Sequence, residues 1–174
     1  MLDTLITSKT RVKLLLKFFL NTKTTSYLRG LEEEFGESSN AIRVELNRFE
    51  EAGLLKAHAE GNKKIYTSNP AHPLFENIRL MLFKVTGIDE VVDHVIGKLG
   101  NVEQVVLIGS LSKGIDNQVI DLVIAGDIDK IYMTNLIDKA EKITKRKIKY
   151  VLFSSTKEDN YEALTKNGLI IWQS

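Results

Sequence analysis

Apolar positions recur at helical spacing through most of the first hundred residues and at strand spacing through much of the rest. Val12, Leu15, Leu16 and Phe19 form one stripe of a helix that runs from a cap at Ser8 or Thr10 to about Leu20, and Leu14, Phe18 and Leu20 broaden it. A stripe that wide predicts more than one packing neighbour, a second subunit among them. After a polar connection, Ser26 is placed to cap a short helix with Tyr27, Leu28, Leu31 and Phe35 inward and Glu32, Glu33 and Glu34 largely outward. Gly36 is positioned to end it in a left-handed residue. The turn Gly36-Glu37-Ser38 enters a third helix, capped by Ser38 or Ser39, with Ile42, Leu46 and Phe49 as its inner stripe. Gly53 stops that helix. Residues 54–58 then read as a strand, Glu60-Gly61-Asn62 as its turn and residues 63–67 as the return strand.

Pro70 and Pro73, the two prolines of the chain, mark a boundary, because proline restricts itself and the residue before it. A helix over 74–86 follows, with Leu74, Ile78, Met81, Leu82 and Val85 on one side, then Gly87, a helix over 88–99 and Gly100. From Val102 the character changes. The β-branched runs VEQVVLI, VIDLVIA and KIKYVLF predict three strands, with a helix over about 128–144 between the second and third. A short helix over 156–167 and a strand over 169–172 complete the pattern. Alternating strands and helices predict an α/β or α+β layer around a largely buried sheet. The expected organisation is an α+β chain: a first domain over 1–70, a helical linker or dimerisation region over 71–100, and a small α/β domain with a mixed sheet over 101–174.

Composition narrows the class. The 174 residues are 43% hydrophobic and 27% charged, the balance of a soluble globular protein. No apolar run reaches the roughly 20 residues needed to cross a bilayer. There is no cysteine and no signal-peptide order at the N-terminus, which predicts a cytoplasmic protein without membrane attachment. Net charge is +1, and residues 1–70 carry 11 basic against 9 acidic side chains. Any nucleic-acid surface must therefore come from local placement.

The third helix supplies such a placement. Opposite its apolar stripe lie Asn40, Arg43, Val44 and Asn47, the side-chain types that read base edges. Glu45, Glu50 and Glu51 weigh against phosphate contact, and their positions predict that they lie on the flanks or the C-terminal end. Helix, short helix, tight Gly-containing turn, helix and hairpin is the order of a helix-turn-helix with a wing. On SKTRVKLLLKFFL, SYLRGLEEEFGES, SNAIRVELNRFEEAGLL and KAHAEGNKKIYTSNP, residues 8–68 resemble the winged helix-turn-helix of bacterial transcription regulators of the ArsR/MarR type. The resemblance implies double-stranded DNA as partner, bound by a homodimer on a two-fold site. Ser39, Asn40, Arg43 and Asn47 are expected at bases or phosphates, Arg48 at a phosphate, and Lys63 and Lys64 at the backbone.

The stretch GSLSKGIDNQVIDLVIAGD, residues 109–127, resembles the nucleotidyltransferase fold of the DNA polymerase beta type. Gly109 and Ser110 match the Gly-Ser turn, Lys113-Gly114 the basic turn and Asp121 the second acid of the Asp-x-Asp pair. Val119 stands at the first acid of the pair, and Lys149 at about the third. Two-metal nucleotidyl transfer cannot be built on one carboxylate beside a valine and a lysine. The expectation is a domain without catalysis, without a metal and without a cofactor. It is read either as an effector pocket holding a nucleotide or phosphate at Gly109, Ser110, Lys113 and Asp121, or as a protein-contact scaffold. A nucleotidyltransferase that the DNA-binding domain merely localises is the alternative.

Other chemistry finds little support. Asp116, Asp127 and Asp129 fall in loops at the wrong offsets. His58, His72 and His94 lack metal-ligand spacing, and Ser154-Ser155 lacks a nucleophile-elbow context. The cluster Lys145-Arg146-Lys147 reads as a complement to a helix dipole rather than as a contact to nucleic acid, and Trp172 as a packing residue. The reading as a whole is a sequence-specific DNA-binding regulator of transcription.

Overall fold

Ser8 opens the first long helix in the computed structural model, which describes residues 2–174. A single turn, α1 (Leu2–Leu5), precedes it. Ser8 Oγ accepts the Arg11 N–H, and α2 (Lys9–Leu15) follows, continuing as a π-helical segment over Leu16–Leu20. Leu14, Leu15, Leu16, Phe18, Phe19 and Leu20 are all buried within the chain. The breadth of this stripe is thus absorbed without a second subunit.

The second helix, α3 (Leu28–Phe35), starts after Tyr27 and has no side-chain cap. Ser26, expected as that cap, lies one residue too early. It pairs instead with Tyr66 in an antiparallel bridge, donating its N–H to the Tyr66 carbonyl at 3.2 Å and accepting the Tyr66 N–H at 2.8 Å. Leu31 and Phe35 are buried, and Gly36 ends the helix at φ 64°. After the turn, Ser38 Oγ accepts the Ala41 N–H at 3.3 Å and starts α4 (Ser39–Glu51), whose Ile42, Leu46 and Phe49 are buried.

β1 (Leu55–Glu60) and β2 (Lys63–Ser68) form the antiparallel hairpin, with Leu55 opposite Ser68 and Glu60 opposite Lys63. Gly61 and Asn62 are then the two loop residues. Gly61 has φ 60°, and a glycine in the first place is the mark of a II′ turn, whose twist suits the flanking strands. A two-stranded hairpin is marginal alone. Here buried Leu55 and Tyr66 and the Ser26 bridge fasten its base.

The next helix, α5, spans Phe75–Thr86. Phe75 is buried, its ring centroid 5.8 Å from that of Phe19. Leu74, expected on the inner side, precedes the helix and is 56% exposed. The chain divides into two compact units within α5, the first ending at Leu82 and the second covering Phe83–Ser174.

In the second unit, α6 (Ile88–Val91), a π-helical segment (Val92–Ile96) and α7 (Gly97–Leu99) run on as one helical stretch. Then come β3 (Val102–Ile108), α8 (Gly109–Ser112), β4 (Val119–Gly126), α9 (Lys130–Thr144), β5 (Lys147–Phe153), α10 (Tyr161–Thr165) and β6 (Leu169–Gln173). The sheet order is β5-β4-β3-β6, with β4 and β5 parallel and the other pairs antiparallel. The protein is therefore a mixed α+β fold with a mixed sheet, as the alternation of strands and helices predicts. Asp129 caps α9, accepting the Ile131 and Tyr132 N–H groups at 2.8 and 2.9 Å. Val106, Val123 and Ala125 pack with Tyr161, whose ring meets that of Phe153 edge-on at 5.3 Å. The helix expected over 156–167 contracts to α10, because Ser154 and Thr156 before it are tied in hydrogen bonds to Glu158 and Glu103.

Candidate nucleic-acid interface

Helix α4 turns its polar side outward. Asn40, Arg43, Val44, Asn47 and Arg48 are exposed, and Ser39 is half-buried at the first turn. Between α3, α4 and the hairpin lies a cleft of about 640 Å³. Of the residues expected from sequence, it gathers Ser39, Arg43, Asn47, Lys63 and Lys64. Asn40 and Arg48 are on the same helix but outside the cleft lining.

The cleft also holds residues that the sequence reading did not assign. Tyr27 and Arg29 line its α3 wall together with Glu32, and Asn62 lines it from the hairpin loop. Arg29 is the one cation in the acidic helix LRGLEEEF, a local charge reversal that could have flagged it. The helical spacing predicts Tyr27 as an inward packing residue. It is half-buried, and its ring centroid lies 4.2 Å from Lys63 Nζ.

Carboxylates temper several of these cations. Glu45, expected on a flank, is buried on the side of α4 that meets the start of α2. Arg11 Nε donates to its Oε2 at 2.9 Å, while Arg11 Nη2, Ser8 Oγ and Arg48 Nη1 reach Oε1 at 3.2, 3.1 and 3.1 Å. Burial pushes the Glu45 carboxyl up, but the hydrogen bonds from Arg11 and Ser8 and the charges of Arg11 and Arg48 outweigh it and hold it below the usual range. Arg48, expected at a phosphate, therefore has its charge partly committed inside the protein. Lys64 donates to Glu50 Oε2 at 2.6 Å, and that bond raises its ammonium above the ordinary lysine range. Arg43 and Arg29 have no carboxylate partner among the described residues.

The Gly-Ser turn of the second unit has a different character. Asp121 on β4 stands opposite Ile108 on β3 and opposite Lys149 on β5. Val119 stands opposite Lys147. Gly109 has φ 72°, and a Cβ built there would lie 2.4 Å from Asp121 Oδ2. The carboxylate thus occupies the space beside the very glycine at which a phosphate would approach. Ser110 is half-buried, Ser112 Oγ donates to the Gly109 carbonyl at 2.8 Å, and Lys113 is exposed.

Arg146 corrects another expectation. It does not complement the dipole of α9 but is buried, donating to both Asp116 oxygens at 2.5 and 2.7 Å and to the Val85 carbonyl at 3.4 Å. A guanidinium so enclosed needs a carboxylate fork, and the loop aspartate supplies it.

Among the described residues no group of three or more His, Cys, Asp or Glu side chains is placed to share a metal ion. None of their helices is long and apolar enough to cross a membrane. The chain matches no protein-family model, no curated protein and no solved structure.

Proposed function

We propose that the first unit is a winged helix-turn-helix that binds double-stranded DNA, and that the protein is a sequence-specific regulator of transcription. In this reading α4 is the recognition helix, α3 the helix that crosses the backbone, and the β1–β2 hairpin the wing. One observation carries it: Ser39, Arg43 and Asn47 of α4 and Lys63 and Lys64 of the hairpin line a single cleft. The 13 residues of α4 span roughly 20 Å, and B-DNA's major groove admits a helix of that kind. Arg43 and Asn47 take base edges, Ser39 and Asn40 bases or phosphates at the first turn, and Lys63 the backbone. Regulators of this geometry bind as dimers on half-sites one helical turn apart, so a homodimer on a two-fold operator belongs to the proposal.

The second unit is proposed as a non-catalytic nucleotidyltransferase-like fold. Its support is the register that sets Lys149, a cation, beside Asp121, together with Val119 two residues before it. Catalysis in this class needs carboxylates holding two divalent ions. The Asp121 carboxylate filling the space beside Gly109 favours a scaffold over a phosphate-type effector pocket.

The test is selection of duplexes from a randomised library by the purified full chain. Enrichment of one motif, with two-fold symmetry if the dimer holds, supports the regulator. Recovery of no enriched sequence overturns it. Incubation with labelled nucleoside triphosphates and magnesium tests the second unit, and covalent transfer lost in Asp121→Asn would reinstate the enzyme.

A further inference from the structure

Gly30 sits in the middle of α3, where a glycine weakens a helix relative to alanine. The structure supplies a reason for it. A Cβ at Gly30 would lie 3.2 Å from Tyr27 Cε1 and 3.3 Å from Cζ, so the phenol ring rests on the bare backbone of the helix. The other side of the arrangement is the hairpin. Lys63, the first residue after the Gly61-Asn62 loop, places its Nζ 4.2 Å from the centroid of that ring. Two separate segments thereby meet at the Tyr27 ring: the start of α3, whose Gly30 backbone it rests against, and the hairpin, whose Lys63 ammonium lies over it. The stack stands on the wall of the cleft that Arg43 and Asn47 line from α4.

From this geometry we infer that Tyr27 is a positioning residue for duplex DNA, holding Lys63 over the cleft so that its ammonium meets a backbone phosphate. The inference rests on the DNA-binding reading of the first unit. An exposed lysine on a hairpin tip normally loses much rotamer freedom when it binds. A lysine already held over a ring face loses less, and preorganisation of that kind improves affinity. The ring engages the cation through its π face and leaves ammonium N–H donors for a phosphate oxygen. Lys64 next to it cannot take this role as readily, because Glu50 holds it at 2.6 Å. The ring also ties the hairpin tip to α3, so the phosphate met by Lys63 keeps a fixed offset from the bases met by Arg43.

The experiment measures affinity and salt dependence of the full chain on a fluorescein-labelled mixed-sequence duplex longer than two helical turns. Lys63→Ala should lower the slope of log K against log salt by about 0.9, the contribution of one phosphate contact. Tyr27→Leu should weaken binding about two- to fivefold at low salt, the worth of an exposed cation–π contact, and should shift the slope in the same direction. Tyr27→Phe keeps the ring and should bind like the parent chain. In a Lys63→Ala background Tyr27→Leu should have no further effect. Gly30→Leu provides a second arm: it keeps Tyr27, favours the helix and lifts the ring, and it should show the same loss and the same dependence on Lys63.

Parent-like binding by both Tyr27→Leu and Gly30→Leu overturns the inference and leaves the DNA-binding reading standing. So does an equal loss with or without Lys63, and so does a Phe variant as weak as the Leu variant. A parent chain that binds no duplex overturns both.

Discussion

Asp116 and Arg146 form a two-pronged ion pair, the guanidinium donating to both carboxylate oxygens at 2.5 and 2.7 Å while its Arg side chain is only 6% exposed. Removing one partner would strand the other. Asp116→Ala should therefore destabilise the second unit toward the lower end of about 3–5 kcal/mol, since the aspartate itself keeps some exposure. Replacing both by apolar residues of similar volume should cost far less. Chemical denaturation of the single and double variants checks this.

The same pair sets a pH dependence. Burial pushes the Asp116 carboxyl up, but hydrogen bonds from Arg146 and the Gln118 N–H, with the guanidinium charge, outweigh it and hold it below the usual aspartate range. A carboxylate whose folded value is depressed stabilises the fold above its unfolded value, about 3.9, and loses that contribution as pH falls through the folded value. Melting temperature should thus fall steeply below about pH 4, and Asp116→Asn should flatten that fall. An unchanged profile in the Asn variant would count against the assignment.

Glu45 gives the first unit a parallel device. Its buried carboxylate holds Arg11 of α2 and Arg48 of α4 together. Glu45→Gln removes the charge but keeps the shape, and should cost about 1–3 kcal/mol, the loss of charge-assisted hydrogen bonds. It should also free Arg48 and raise the salt dependence of DNA binding. A urea titration paired with a salt titration separates the two effects.

Much of this was legible in the sequence, and the reasons are local. Ser8, Gly36 and Ser38 sit at helix ends because hydrogen-bonding caps and left-handed residues are short-range necessities. The stripe Ile42, Leu46, Phe49 and the polar side opposite it follow from helical periodicity alone. The three β-branched runs stand out as strands in the same way, but the register that sets Lys149 beside Asp121 is seen only in the fold. What escaped depends on partners distant in the chain. Arg146 meets Asp116 across 30 residues, and Glu45 meets Arg11 across 34. Nothing near either residue announces the pairing. Ser26 looked like a cap because it precedes a helix, but the extended Tyr66 backbone claims it.

Gly109 and Asp121 offer a test of close packing. Gly109→Ala introduces a Cβ 2.4 Å from Asp121 Oδ2 at a residue with φ 72°. The left-handed conformation alone costs about 1–2 kcal/mol for a residue with a side chain, and the clash adds to it. In an Asp121→Ala background the carboxylate clash is gone, and the backbone part should remain with only the milder contact to the residue-121 Cβ at 3.2 Å. Thermal melts of the two single variants and the double should therefore show strong non-additivity.

Arg43 and Lys63 should fail in different ways. Arg43→Ala should cost about 1–3 kcal/mol on the selected motif and relax preference at one base pair, because a bidentate contact to a base edge carries sequence information. Lys63→Ala should weaken every duplex alike. Binding curves on the motif and on its single-base variants distinguish the two patterns, and equal loss across all duplexes for both would deny α4 its reading role.

Glu50 separates a DNA-facing surface from an ordinary one. It lies at the end of α4 and holds Lys64 Nζ at 2.6 Å. On a surface that meets solvent alone, such a pair contributes about 0–1 kcal/mol and its loss is of little consequence. On a surface that approaches phosphates, the carboxylate is doubly unfavourable: it repels the backbone and keeps Lys64 from it. Glu50→Ala should therefore strengthen DNA binding severalfold at low salt and steepen its salt dependence, while leaving the melting temperature nearly unchanged. Lys64→Ala should do the reverse in the Glu50→Ala background and little in the parent chain, where the lysine is already engaged. Fluorescence anisotropy over a salt series reads all four proteins. If Glu50→Ala binds no better than the parent, the hairpin and the end of α4 do not approach the duplex as proposed.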